Sequence, residues 1–149
     1  MITYPLLVLE HDDVKSGRIP MAVRMKLDLA GLKISLREWQ SLPTSDHSEL
    51  HNLDVETDQG IAQFNDMLRT MLHRCGCQSP VKLPVGKLDD VTQWRDPGLM
   101  PSSVDSIAQK CGLAIKWDKL ERFSRYVLWH FAKRGDKLNF KLAFQQLDR

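Results

Sequence analysis

The chain has 149 residues, 42% of them hydrophobic and 27% charged, with a formal net charge of +2. That length suits one domain spanning 1–149, which buries about 68–70% of its unfolded surface without a metal or disulfide staple, and so small a charge does not imply a polyanionic partner. Three cysteines, no run of 18 apolar residues and no positively charged leader ending in small residues point to reduced thiols, no membrane span and a cytoplasmic protein.

The opening segment Ile2–Leu9 reads as an extended arm or a short strand, which Pro5 would keep at a sheet edge. From Ile19 to Leu29 apolar residues alternate with Arg24, Lys26 and Asp28, as on a half-buried strand. Helix is the better reading, because Met, Ala, Leu, Arg and Lys dominate, β-branched residues are few, Pro20 suits a first turn and Gly31 suits a left-handed terminator. On a helical wheel the apolar residues cover most of the circumference, leaving a narrow stripe of Arg24 and Asp28 at i, i+4, with Lys26 apart; such a helix is mostly buried. Ser35-Leu36-Arg37-Glu38 then fits a capping box, and Leu36, Trp39 and Leu42 follow at helical spacing before Pro43 stops the element.

Thr44–Leu53 reads as a short helix. The clearest amphipathic element runs from Thr57 to Cys75, with Ile61, Phe64, Leu68, Met71, Leu72 and Cys75 on one stripe and Gly76 as terminator. Residues 77–101, punctuated by Pro80, Pro84, Pro97 and Pro101, read as an irregular excursion partly packed through Trp94. A helix capped by Ser102 and Asp105 follows and ends at Gly112, with Cys111 facing inward. The last long helix spans Trp117–Lys133, with Glu121 and Arg125 paired on its outer side, and Asn139 caps a final short helix. The expected architecture is all-α, a single domain of six or seven helices.

Few constellations suggest chemistry. His73, Cys75 and Cys77 gather soft ligands, but Cys111 and the other histidines follow no zinc-knuckle spacing, so a core Cys75, a solvent-facing His73 and a loop Cys77 are expected instead. Cys75 and Cys77 also lack the C-x-x-C spacing of a redox pair. No G-x-G-x-x-G or Walker-type string occurs, and Asp12-Asp13 and Asp89-Asp90 sit in polar, turn-like surroundings. Charge is unevenly spread. Thr44–Asp66 holds six acidic residues and no lysine or arginine, whereas the C-terminal third is basic, with Tyr126 and Trp129 near its basic helix.

The block from Arg18 to Pro43, with Ile19-Pro20-Met21, Val23-Arg24, Lys26-Leu27-Asp28, Gly31, Lys33, Leu36 and Trp39 in this order, resembles the bacterial nitrate reductase-associated protein family. The resemblance implies a small soluble protein whose gene lies near those for nitrate reductase and molybdopterin-cofactor synthesis, a pathway without a stated reaction. It brings no catalytic residues, metal or cofactor to carry over. The expectation is a non-enzymatic adaptor that contacts a protein partner, nitrate reductase or a cofactor-synthesis protein, through a surface formed by Arg18, Arg24, Lys26, Lys33 and Trp39. Two alternatives belong to other classes: a small-ligand or molybdenum-cofactor carrier in which those basic residues meet anionic groups around a pocket floored by Trp39, and a regulator that lays its C-terminal basic helix on nucleic acid.

Overall fold

The structure, a computed structural model, describes residues 2–148, with Val85 described by its backbone alone. Among the described residues the chain is mostly helical, with nine α-helices, seven of them at least seven residues long, and one two-stranded sheet. It divides into two compact units: residues up to Leu6 with Glu10–Val91, and Leu7–Leu9 with the chain from Thr92 onward. Among the described residues no helix is long and apolar enough to cross a membrane.

The first unit contains α1 (His11–Lys15), α2 (Met21–Ala30), β1 (Leu32–Lys33), α3 (Leu36–Ser41), α4 (Thr44–Asn52), α5 (Asp58–Arg74), β2 (Val81–Lys82) and α6 (Val85–Val91). Its centre is α2, which packs against α4, α5 and α6. The near-continuous apolar circumference of α2 explains this position, since a helix without a polar face gains most when it is covered on all sides. Pro20 precedes its first turn, and the buried Glu10 carboxylate accepts from the Met21 N–H at 2.8 Å, satisfying a donor that proline cannot cap with a side chain. Gly31 ends α2 at φ +68°, as expected.

The capping box of α3 is present in both directions: the Ser35 hydroxyl accepts from the Glu38 N–H at 3.1 Å, and Glu38 accepts from the Ser35 N–H at 2.7 Å. Thr57 caps α5, which buries Phe64, Leu68, Met71 and Leu72 along its predicted stripe. Cys75 departs from that prediction. The helix ends at Arg74, so Cys75 falls on the C-cap, is exposed, and meets the Ser41 carbonyl with its Sγ at 3.4 Å.

Two further expectations change here. Residues 2–9 form no strand; they are irregular up to Leu7, followed by a 3-10 turn over Val8–Glu10. The strands lie elsewhere, with β1 antiparallel to β2 and Leu32 opposite Lys82, so the excursion of 77–101 holds a strand, a helix and a 3-10 turn at Gln93–Arg95. Two-residue strands carry no period that a sequence can display.

The second unit is built around α8 (Arg122–Lys133), which packs on α7 (Ser102–Cys111), on α9 (Lys137–Leu147) and on the Gln93–Arg95 turn. Every residue of α8 from Phe123 to Ala132 is buried. The helix begins later than Trp117 because Leu120 and Glu121 are extended; Trp117 lies in a separate 3-10 turn, where its indole N–H donates to the Asp96 carbonyl at 2.9 Å. The expected outer-face pairing of Arg125 is replaced by an inward one: its guanidinium donates to the carbonyls of Trp94, Leu120 and Arg95 at 3.1, 2.6 and 3.3 Å. Two caps also move. Pro101 precedes α7 with no side-chain cap, and Asp136, not Asn139, caps α9, accepting from the Asn139 N–H at 3.1 Å. Cys111 is half-buried.

Candidate functional site

Within the first unit α1, α3 and α4 enclose a cleft of about 420 Å³. Its aromatic wall is set by local chemistry. The capping box starts α3 in a fixed direction, Trp39 lies one turn further on, and Pro43 ends the element and starts α4 so that His47 returns over the indole. The two rings stack with centroids 3.9 Å apart and planes 13° from parallel, and the His47 Nε2–H donates to the Trp39 carbonyl at 2.7 Å. Because that carbonyl only accepts, Nε2 carries the proton. Trp39 is 2% exposed, whereas His47 is half-buried and forms the open side of the stack.

One rim is closed by Gln40, whose side-chain amide donates to the Gly17 carbonyl at 3.3 Å. Gly17 has φ +98°, a conformation that residues with a side chain rarely adopt, so glycine suits the turn at this rim. Arg18, exposed, lines the same edge. Among the described residues no carboxylate side chain lines the cleft, which gives it a positive character in a stretch of sequence otherwise rich in acid.

Behind the cleft lies a buried polar network. The His51 Nε2–H donates to the Tyr4 carbonyl at 2.8 Å, the Tyr4 hydroxyl donates to Glu56 at 2.8 Å and accepts from the Val55 N–H at 3.0 Å, and the Lys26 Nζ donates to the carbonyls of Leu50, at 2.9 Å, and His51. Burial holds the His51 pKa below the ordinary histidine value, against the opposing hydrogen bond to Tyr4 and with added repulsion from Lys26. Burial likewise lowers Lys26 to about 7, with Asp54 and Glu56 opposing, and raises the Tyr4 phenol well above its usual range.

The five residues expected to share a contact surface are distributed differently. Arg18 and Trp39 line the cleft together. Lys26 is wholly buried, with 0% exposure, and Lys33 is exposed on β1. Arg24 is half-buried on α2, with its Nε donating to the Ile19 carbonyl at 3.1 Å. His47 and His51, which no sequence motif singles out, join Trp39; their local signal is the i, i+4 spacing on α4. Among the described residues no three His, Cys, Asp or Glu side chains gather as a metal site, and His73 and Cys75 are both exposed.

The family profile described as conserved nitrate reductase-associated protein matches residues 6–147. The chain belongs to this family. The matched span includes α2 at the centre of the first unit and the α3 wall of the cleft. No curated protein and no solved structure matches the chain.

Proposed function

We propose that this nitrate reductase-associated family member is a non-catalytic accessory protein of nitrate assimilation, acting by contact with a protein partner, either nitrate reductase or a protein that supplies its molybdenum cofactor. Family membership supports the pathway. The observation that supports contact is the acidic surface of the first unit: Glu49, Asp54, Asp58 and Asp66 are all exposed within a stretch that has no lysine or arginine. Glu49 and Asp66 border a shallow concavity of about 230 Å³ with Met67, Met71 and Arg74. Carboxylates around adaptable methionine side chains suit a basic partner segment that needs steering and register more than a rigid fit.

The carrier alternative in its original form required four basic residues around one pocket, and of these Arg18 alone lines the Trp39 cleft. The nucleic-acid alternative placed the basic C-terminal helix, with Tyr126 and Trp129 nearby, on nucleic acid, and these two rings, 2% and 3% exposed, offer no stacking platform. The adaptor reading is tested by affinity capture from lysate of the host grown on nitrate. Recovery of a nitrate-assimilation protein that falls about tenfold for Glu49→Lys with Asp66→Lys, at unchanged melting temperature, is the expected result. Recovery that ignores the charge reversal would rule this surface out, and capture of no such protein would remove the adaptor reading.

A further inference from the structure

The Trp39 cleft differs from the acidic concavity in every property that decides a ligand. Its volume of about 420 Å³ lies in the range of small-molecule sites. Its walls are fixed before any ligand arrives: His47 is stacked on Trp39 and bonded to its carbonyl, His51 is bonded to the Tyr4 carbonyl, and Gln40 to the Gly17 carbonyl. Such preorganisation reduces the ordering penalty of binding. Those three side chains turn their donors onto main-chain carbonyls. Two other lining residues do not. Among the described residues no hydrogen bond or ion pair engages the Arg18 guanidinium, and none engages the Trp39 indole N–H, which is not sealed away as a buried unsatisfied donor. The cleft therefore combines an apolar, aromatic interior to which Val14 and Pro20 contribute with two donors that lack internal acceptors, one of them a cation, and among the described residues no acid lines it to neutralise them.

We propose that this cleft is a binding site for a small aromatic carboxylic acid, its ring against the Trp39–His47 stack and its carboxylate on Arg18. A planar ring matches the stacked wall. A carboxylate matches the fork of a guanidinium, and such charge-assisted pairs are about twice as strong as neutral hydrogen bonds. A neutral ligand would leave Arg18 unused, and a cationic one would be repelled by it. The site goes beyond the adaptor reading and does not depend on it.

The test uses the full chain, 15N-labelled, titrated with benzoate, 2-naphthoate and indole-3-acetate, and in parallel with the corresponding neutral alcohols. At least one acid is expected to bind with a submillimolar Kd, moving the Trp39 indole N–H resonance, assigned through Trp39→Phe, together with the His47 and His51 ring signals. The matching alcohol should bind about tenfold or more weakly, and Arg18→Gln should weaken the acid by a similar factor while leaving the alcohol unchanged. Arg18 is exposed and makes no internal side-chain bond, so this variant keeps the fold. Absence of these shifts with all three acids up to roughly 10 mM, shifts confined to another region, or equal affinity of acid and alcohol would overturn the proposal. The adaptor test reads protein recovery at a different surface, so either can fail alone.

Discussion

The Lys26 ammonium lies 4.0 Å from the centroid of the Tyr4 ring while donating to the carbonyls of Leu50 and His51. Those carbonyls belong to the last turn of α4, where the helix has no partners of its own to offer. A fully buried lysine of α2 thus acts as the C-terminal cap of α4, and the aromatic face of Tyr4 compensates part of its desolvation. Lys26→Met keeps the apolar stem and removes the cap. Each orphaned buried acceptor costs about 1–3 kcal/mol, offset in part by the relieved burial of the amine, so a net loss of roughly 2 kcal/mol is expected. Urea unfolding would show it as a lower midpoint at unchanged slope. An unchanged midpoint would mean that water replaces the lysine at no loss.

The same network makes stability depend on pH. Lys26 titrates at about 7 in the folded chain and at 10.5 when unfolded, so between these values the unfolded state holds more protons and stability rises with pH. His51, also lowered by burial, adds to the rise as pH climbs through the ordinary histidine range. Tyr4 acts at the other end. Its folded pKa lies above the ordinary tyrosine value of 10.0, so beyond about pH 10 the unfolded chain ionises first and stability falls. Melting temperatures from about pH 6 to 11 should therefore pass through a maximum at about pH 10. In Lys26→Met the rise above pH 7 should flatten while the alkaline fall persists. A rise of undiminished slope in that variant would show that Lys26 is not its source.

Arg125 is the counterpart of Lys26 in the second unit. Its guanidinium bonds three carbonyls that all precede α8 in sequence, Trp94 and Arg95 in the distant 3-10 turn and Leu120 just ahead of the helix. A planar fork with donors on three nitrogens reaches all three, and a single ammonium does not. Arg125→Lys should lose about 1–3 kcal/mol through unpaired buried carbonyls. Amide exchange should speed up for Gln93–Arg95 more than for α9. Equal protection of that turn in both proteins would show that Arg125 does not hold it.

Lys26 and Arg125 also mark where the sequence stops being legible. Some caps and terminators are legible because their partners are close by in the chain, Ser35 with Glu38 and the left-handed Gly31 and Gly112 at φ +68° and +66°, whereas the caps expected at Ser102 and Asn139 are not the ones formed. The long amphipathic α5 was readable from its period. A charged side chain that turns inward toward carbonyls 24 to 31 residues away leaves no local trace, and a wheel places it on a polar stripe by default. The cleft was half legible for the same reason. Trp39 and Arg18 stand in the recognisable block, but the stack with His47 arises only because Pro43 sends α4 back across α3. Cys75 was placed in the core by extending a helical period one residue past the helix end.

Gly60 tests packing against propensity. It lies in the first turn of α5, where replacing glycine by alanine would ordinarily stabilise a helix by about 0.5–1 kcal/mol. Here an added Cβ would sit 2.2 Å from the Asp54 carbonyl oxygen and 3.2 Å from the Val55 Cα, both main-chain atoms that a rotamer change does not move. Val55 in turn donates its N–H to the Tyr4 hydroxyl, so a shift of this segment strains the network behind the cleft. Gly60→Ala should lose about 1–3 kcal/mol, the scale of overpacking a rigid neighbour. Gly86→Ala in α6 is the matched control: a Cβ there meets nothing within 4 Å, and the variant should gain the ordinary helical increment. Paired urea titrations separate the two effects. If Gly60→Ala were as stable as Gly86→Ala, the Asp54–Val55 segment would have to yield freely, and the Tyr4 hydroxyl would lose its fixed place between Val55 and Glu56.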